Sequence, residues 1–413
     1  MNNNIVQFNK KHKKRTKFRK TFNNNKKPNR KYNVFPIIFC LVLGVSLFCA
    51  YFEMKKSPIE DAPSGYNPTT KTIIAGKTVN YDLDTEAPVK DDIWVMYQSL
   101  SSEDKRVYDM FLDLVEHRSK GYKSSILVSD STAKQLGDGY FWNVFYAMNY
   151  DHPEYFYLMG SSKIHAYSTS SAGQTTFVFE IDPPNEEENA QIAAFEKATN
   201  AFMQEIDLTL SDREIELQIH DKLIQTVSYD YELYESRSEL HDLGYTAYGA
   251  LVEDSSGNNN MAVCEGYALA FEHLMHQAGI PCSYVSGDAR HEGLNETDDR
   301  GHAWNVVKID NRWYEVDTTW DDHDISDFQD KPEAIKKAFE ANESIQYNYC
   351  HYYFNKTTKE MENMIPTDAT VLVAEGYRPY NLRTITSHIR ADQTNTYGDD
   401  SSVFLNSLVP IAE

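Results

Sequence analysis

Three residues near the middle of the 413-residue chain have the types and spacing for nucleophilic chemistry through a thiol. Cys264 lies near the start of AVCEGYALAFEHLMHQAG (262–279), where Ala268, Phe271, Met275 and Ala278 recur at three- and four-residue steps and Gly279 with Pro281 marks a stop. The spacing predicts a helix with one buried face that begins almost at Cys264. The unpaired N–H groups and partial positive charge of a helix N-terminus favour thiolate over thiol, so a lowered cysteine pKa is expected, and the same groups can hold an oxyanion. Acyl transfer through such a thiolate also needs an acid for the leaving group and a residue to orient that acid.

Both partners are present downstream in GHAWNVVKIDNRWYEVDTTWDD (301–322). The runs 303–309 and 312–316 flank Asp310-Asn311, a pair suited to a two-residue hairpin turn. Such a turn makes facing residues sum to 621, so Ile309 faces Arg312, Trp304 faces Asp317 and His302 faces Thr319. His302 and Asp317 then become same-face diagonal neighbours, roughly 7–8 Å apart at the backbone and within side-chain reach. A four-residue loop keeps this register and a three-residue loop breaks it.

The strings VCEGYALAF, GIPCSYVSGD, HAWNVVKI and WYEVDTTWDD resemble the core of the transglutaminase-like superfamily, in its bacterial cell-surface branch, over residues 211–322. The resemblance implies an α+β, papain-like transglutaminase core: a nucleophile helix packed on an antiparallel sheet, with no cofactor and no metal. By that likeness Cys264 is the nucleophile, His302 the general base and acid, and Asp317 the orienting carboxylate. Cys264 would attack a carboxamide or peptide carbonyl to form a thioester. An amine acceptor would make the protein a cross-linking acyltransferase and water a peptidase or amidase; a surface binding module that keeps the fold without turnover is the other class. Tyr245 and Tyr248 in YTAYGAL are candidates to complete an oxyanion hole with the Cys264 N–H. His220 and Asp221 follow the capping box Ser211-Asp212-Arg213-Glu214 and read either as a second catalytic pair or, as the likeness implies, as structural hydrogen bonding.

The rest of the chain sets the context. The net charge of −22 hides an asymmetry, because residues 1–33 hold 12 of the 40 Lys and Arg and no acid. The remainder is therefore near −34, a poor match to nucleic acid. Residues 34–52 form an uncharged apolar stretch of 19 residues, about 28 Å as a helix and close to a bilayer core of about 30 Å. No small-residue cleavage pattern ends it, so the reading is a single-pass transmembrane anchor in the cell membrane, with the basic tail inside and residues 53–413 outside. The basic run KKHKKRTKFRK (10–20) reads as a topology and lipid-surface element, with a nucleic-acid arm as the alternative.

Residues 53–90, punctuated by Pro58, Pro63, Pro68 and Pro88, read as a stalk. An α+β N-terminal helper domain is expected over 91–184, with helices over 93–118 and 139–148 and strands within 155–181. The transglutaminase-like domain is expected over 190–390, with helices over 193–206 and from 211, and NYCHYYF (348–354) as its closing strand. Residues 391–413 read as a loosely held tail. Cys40 and Cys49 fall in the apolar stretch; Cys282 and Cys350 permit one disulfide that leaves Cys264 free, or none forms. Asp321-Asp322-His323-Asp324 reads as a solvated loop, since adjacent acids do not converge on one ion. The expected partners are a protein or peptide substrate, such as a cell-wall peptide, and the membrane.

Overall fold

The computed structural model describes residues 78–80 and 92–413, apart from 137–138, 160–162, 237–241, 254–259, 292–300, 323–330, 365–370, 373–375, 377–379, 383–385 and 394–399. The basic tail, the apolar stretch 34–52 and nearly all of the expected stalk lie outside the described residues. Among the described residues no helix is long and apolar enough to cross a membrane.

The fold is α+β, built on two four-stranded sheets. β1 (Thr78–Asn80), β2 (Lys123–Ser129), β3 (Ile164–Ser171) and β4 (Gln174–Ile181) form the first, in the order β1-β2-β4-β3, with β1 parallel to β2. A short parallel pair follows, β5 (Val227–Tyr229) with β6 (Asn260–Ala262). β7 (Cys282–His291), β8 (Gly301–Ile309) and β9 (Arg312–Val316) belong to the second sheet. β10 (Val371–Leu372) and β11 (Tyr380–Asn381) pair with each other, and β12 (Thr386–Arg390) completes the second sheet in the antiparallel order β12-β7-β8-β9.

The β8–β9 hairpin follows from its two turn residues. Asp310 and Asn311 both have positive φ, 50° and 63°, the requirement of the tight turn whose twist matches that of the flanking strands. The resulting register pairs Ile309 with Arg312 and Asn305 with Val316, as the spacing predicts. Every residue from His302 to Val307 is buried, because the helix Cys264–Gln277 packs on this sheet and Asn305 donates to the Ala268 carbonyl at 3.0 Å. At Gly287, which pairs with His302 on one side and Arg390 on the other, a Cβ would lie 2.1 Å from the Ile389 carbonyl and 2.6 Å from Cη2 of Trp304. Only glycine lets the three strands meet there.

Four expectations are corrected. The helix expected over 93–118 is two, Val95–Ser99 and Ser102–His117. Leu100 is extended between them and Ser101 accepts from the Asp104 N–H at 3.1 Å, a restart signal that the apolar period ran across. NYCHYYF is not a strand: Asn342 caps a helix Glu343–Cys350, and only Lys356, beyond it, bridges to Glu315 at the β9 edge. The final residues are not loose. Leu405, Leu408, Val409 and Ala412 are buried, and the Arg390 guanidinium donates at 2.8 Å to the carbonyls of Asn406, Val409 and Pro410. Asp321 is fully buried rather than solvated, and Asp322 accepts from the Tyr267 hydroxyl at 2.6 Å; His323 and Asp324 lie outside the described residues.

Candidate active site

Cys264 is the first residue of its helix, after the extended N-cap Val263. The close approach of the preceding chain depends on Gly266, where a Cβ would meet the Gly244 carbonyl at 2.6 Å and the Ala262 side chain at 2.8 Å. The sulfur is buried, and the backbone N–H groups of Ala303 on β8 and of Glu265 favour its charged form. Cys264 and Cys282 are free thiols, so no Cys282–Cys350 disulfide forms.

The hairpin brings His302 and Asp317 together. His302 Nε2 donates to Asp317 Oδ2 at 2.7 Å, in the interior. The same carboxylate caps the next helical turn, its Oδ1 accepting from the Trp320 N–H at 3.0 Å. It thus serves both as the strand-end cap that Asp commonly supplies and as the partner of the imidazole. A residue the pattern did not reveal completes the arrangement: His388 on β12 donates its Nε2 hydrogen to the same Asp317 Oδ2 at 2.6 Å. Burial alone would raise the Asp317 carboxyl, but the charges and hydrogen bonds of His302 and His388 outweigh it and hold the group well below the usual carboxylate range. The ligand atoms of His302, Asp317 and His388 lie within 4.8 Å of one another. No local signal points to His388, because β12 reaches the site only by pairing along β7.

The thiol departs from the helix-terminus expectation. Burial, and after it the Glu265 carboxylate, push Cys264 up to about 12, against the lowering by the two backbone N–H groups. Burial also pushes Glu265 up, to about 7; Tyr150 donates to its Oε1 at 3.0 Å, and its Oε2 has no hydrogen-bond partner among the described residues. Burial and Glu265 thus favour the protonated thiol at Cys264.

The two tyrosines have different surroundings. Tyr245 is buried in a small cluster with Leu233 and Val263, and burial, with the Glu265 carboxylate after it, raises its hydroxyl. The Tyr248 ring packs against Phe156, at 4.9 Å between centroids, and Phe195. Tyr229 also senses the Cys264 thiol. His220 and Asp221 are engaged elsewhere, with Asp321 and His351.

The structure thus sets a buried thiol at a helix start that packs against the hairpin holding an imidazole on a carboxylate. Residues 200–318 match the Transglutaminase-like superfamily. The chain is 38% identical over 61 residues to the kyphoscoliosis peptidases of Mus musculus and Homo sapiens. That alignment covers 14% of this chain and 9% of each relative, so the chain spans under a tenth of the length of the curated relatives it matches. A solved structure described as a TGase aligns over 49% of this chain and 52% of its own, at 16% identity and a TM-score of 0.24.

Proposed function

We propose that the protein is a cell-surface thiol acyl-transfer enzyme that forms a thioester between Cys264 and a carboxamide or peptide carbonyl of a protein or cell-wall peptide. The observation that carries this reading is the 2.7 Å His302–Asp317 bond on the strand whose next residue, Ala303, places its backbone N–H where it favours the charged form of the Cys264 sulfur. Asp317 occupies Nε2 of the imidazole, which leaves Nδ1 to take the thiol proton as the sulfur attacks and to return it to the leaving amine. Because burial and Glu265 favour the protonated thiol, His302 acts as a general base during attack rather than as one half of a standing ion pair. The Cys264 N–H at the helix start, with the Tyr245 hydroxyl, supplies the oxyanion donors in this scheme.

Residues 34–52 anchor the protein in the cell membrane with residues 53–413 outside, and residues 91–184 act as a helper to a papain-like transglutaminase core over 190–390. With an amine as acceptor the product is a cross-link; with water the protein is a peptidase or amidase, the reading in line with the similarity to the kyphoscoliosis peptidases. The test incubates the full chain with a glutamine-containing peptide, with and without a primary amine, and follows adducts by mass spectrometry. A Cys264 thioester, absent from Cys264→Ala, supports the reading; the amine dependence of the product separates the two acceptors. A folded chain that never forms the thioester would leave a non-catalytic binding module.

A further inference from the structure

His388 reaches the site from the edge strand of the second sheet. β8 and β12 flank β7, so their backbones stand about 9.5 Å apart. Side chains two strands apart do not ordinarily meet. Here Gly287, paired with His302 on one side and Arg390 on the other, leaves the middle strand without a side chain, and Trp304 lies over it. His388, two residues before Arg390, is on the same face of the sheet. The rings of His302 and His388 come within 5.1 Å, centre to centre, and Asp317 Oδ2 accepts from both, at 2.7 and 2.6 Å.

The surroundings of His388 define what it can do. Trp304 meets its ring edge-on at 5.1 Å and Tyr353 packs at 5.0 Å. The side chains of His388 and Asp317 are 0% exposed, against 7% for His302. A ring sealed in this way does not touch a substrate, so its effect on the chemistry passes through Asp317. That carboxylate is held from three directions: Oδ1 takes the Trp320 N–H, and Oδ2 takes hydrogens from β8 and β12. A buried carboxylate needs such donors to stay ionised and in place. The donor on β12 has a second consequence, because two N–H groups on one oxygen divide its charge and each weakens the pull on the other. The direction is the same whether the His388 ring is neutral or protonated, since a cation on that oxygen divides the charge further.

We propose that His388 is a positioning residue of the Cys264 site: its Nε2 hydrogen fixes Asp317 Oδ2 and, by sharing that oxygen, sets how strongly Asp317 holds the His302 ring. The family match ends at residue 318, so this donor comes from beyond the matched part. It rides on a strand that Arg390 ties to the carbonyls of Asn406, Val409 and Pro410. The expected effect on rate rests on the thioester chemistry proposed above, whereas the effect on the His302–Asp317 hydrogen bond does not.

The test compares the full chain with His388→Phe, which keeps a ring against Trp304 and Tyr353 but has no donor, and with His388→Gln, which keeps an N–H. The maximal rate of thioester formation from the glutamine-containing peptide should fall about 10–100-fold in His388→Phe. The peptide concentration giving half that rate should not change, because His388 does not reach the peptide. In [15N]histidine-labelled chain, the His302 Nε2 proton, assigned by its loss in His302→Gln, should resonate further downfield in His388→Phe. His388→Gln should restore the rate and the resonance. Circular dichroism checks folding; should His388→Phe not fold, His388→Met against His388→Gln, alike in length and differing in the N–H, decides. An unmoved resonance or a wild-type rate in the folded donor-free variant, a change confined to the half-saturating concentration, or a glutamine variant that behaves as the donor-free one would each overturn the proposal. A wild type that forms no thioester would remove the acyl-transfer reading, and the resonance comparison would still decide the role of His388.

Discussion

Replacing Glu265 with glutamine should speed alkylation of Cys264 by about tenfold at about pH 8.5 and leave it unchanged at about pH 5.5. Glutamine keeps an oxygen for the Tyr150 hydroxyl but removes the charge that, after burial, contributes most to the high pKa of the thiol. For charges on the order of 6 Å apart and an effective dielectric of about 20, the coupling is about 2.8 kcal/mol, or close to two pK units. The thiol would fall from about 12 to about 10, and the thiolate population would rise about 100-fold. Each thiolate would be about tenfold less nucleophilic at the lower pKa, which leaves the tenfold net gain. Because Glu265 itself titrates at about 7, the gain should fade as the wild-type carboxyl becomes protonated. The assay follows iodoacetamide labelling of the Cys264 peptide by mass spectrometry across that range. A rate ratio of one at high pH in a folded variant, or a ratio that does not decline with pH, would refute the assignment of Glu265 as the charge opposing the thiolate.

Stability checks the same residue independently. The Glu265 carboxyl is raised from 4.5 unfolded to about 7 folded, so the folded state holds its proton more tightly. Its contribution is therefore fully present below about pH 4.5 and is lost as pH rises through about 7, a change of about 3 kcal/mol. Glu265→Gln should unfold at higher urea than the wild type at about pH 8, with no gain from this source at about pH 4. Asp317→Asn should slow thioester formation by about three to four orders of magnitude with the fold intact, as loss of a triad's orienting carboxylate does; a wild-type rate would reduce Asp317 to the cap of Trp320. Inserting one glycine between Asp310 and Asn311 makes the loop odd and turns Asp317 to the other face, so the rate should drop as far, with circular dichroism unchanged. Gly287→Ala should cost about 2–3 kcal/mol in urea unfolding through overpacking against Ile389 and Trp304.

What the sequence revealed divides by range of interaction. The β8–β9 register needed only Asp310, Asn311 and the alternation beside them, and it correctly brought His302 to Asp317. The start of the Cys264 helix was equally local. The chemical state of the thiol was not, because it depends on burial and on Glu265, whose own carboxyl is held by Tyr150, 115 residues away. His388 escaped for the same reason: it lies 71 residues from Asp317 and arrives by strand pairing. The loose tail was misread because its anchor is Arg390, whose role appears only once the carbonyls of Asn406, Val409 and Pro410 surround it. This division bears on mechanism. Local pattern suggested a standing thiolate at a helix terminus, whereas burial and the Glu265 carboxylate push the thiol up to about 12. Under the proposed thioester chemistry the proton would leave as the carbonyl is attacked, and with Nε2 of His302 already donating to Asp317, the ring nitrogen left to receive it is Nδ1.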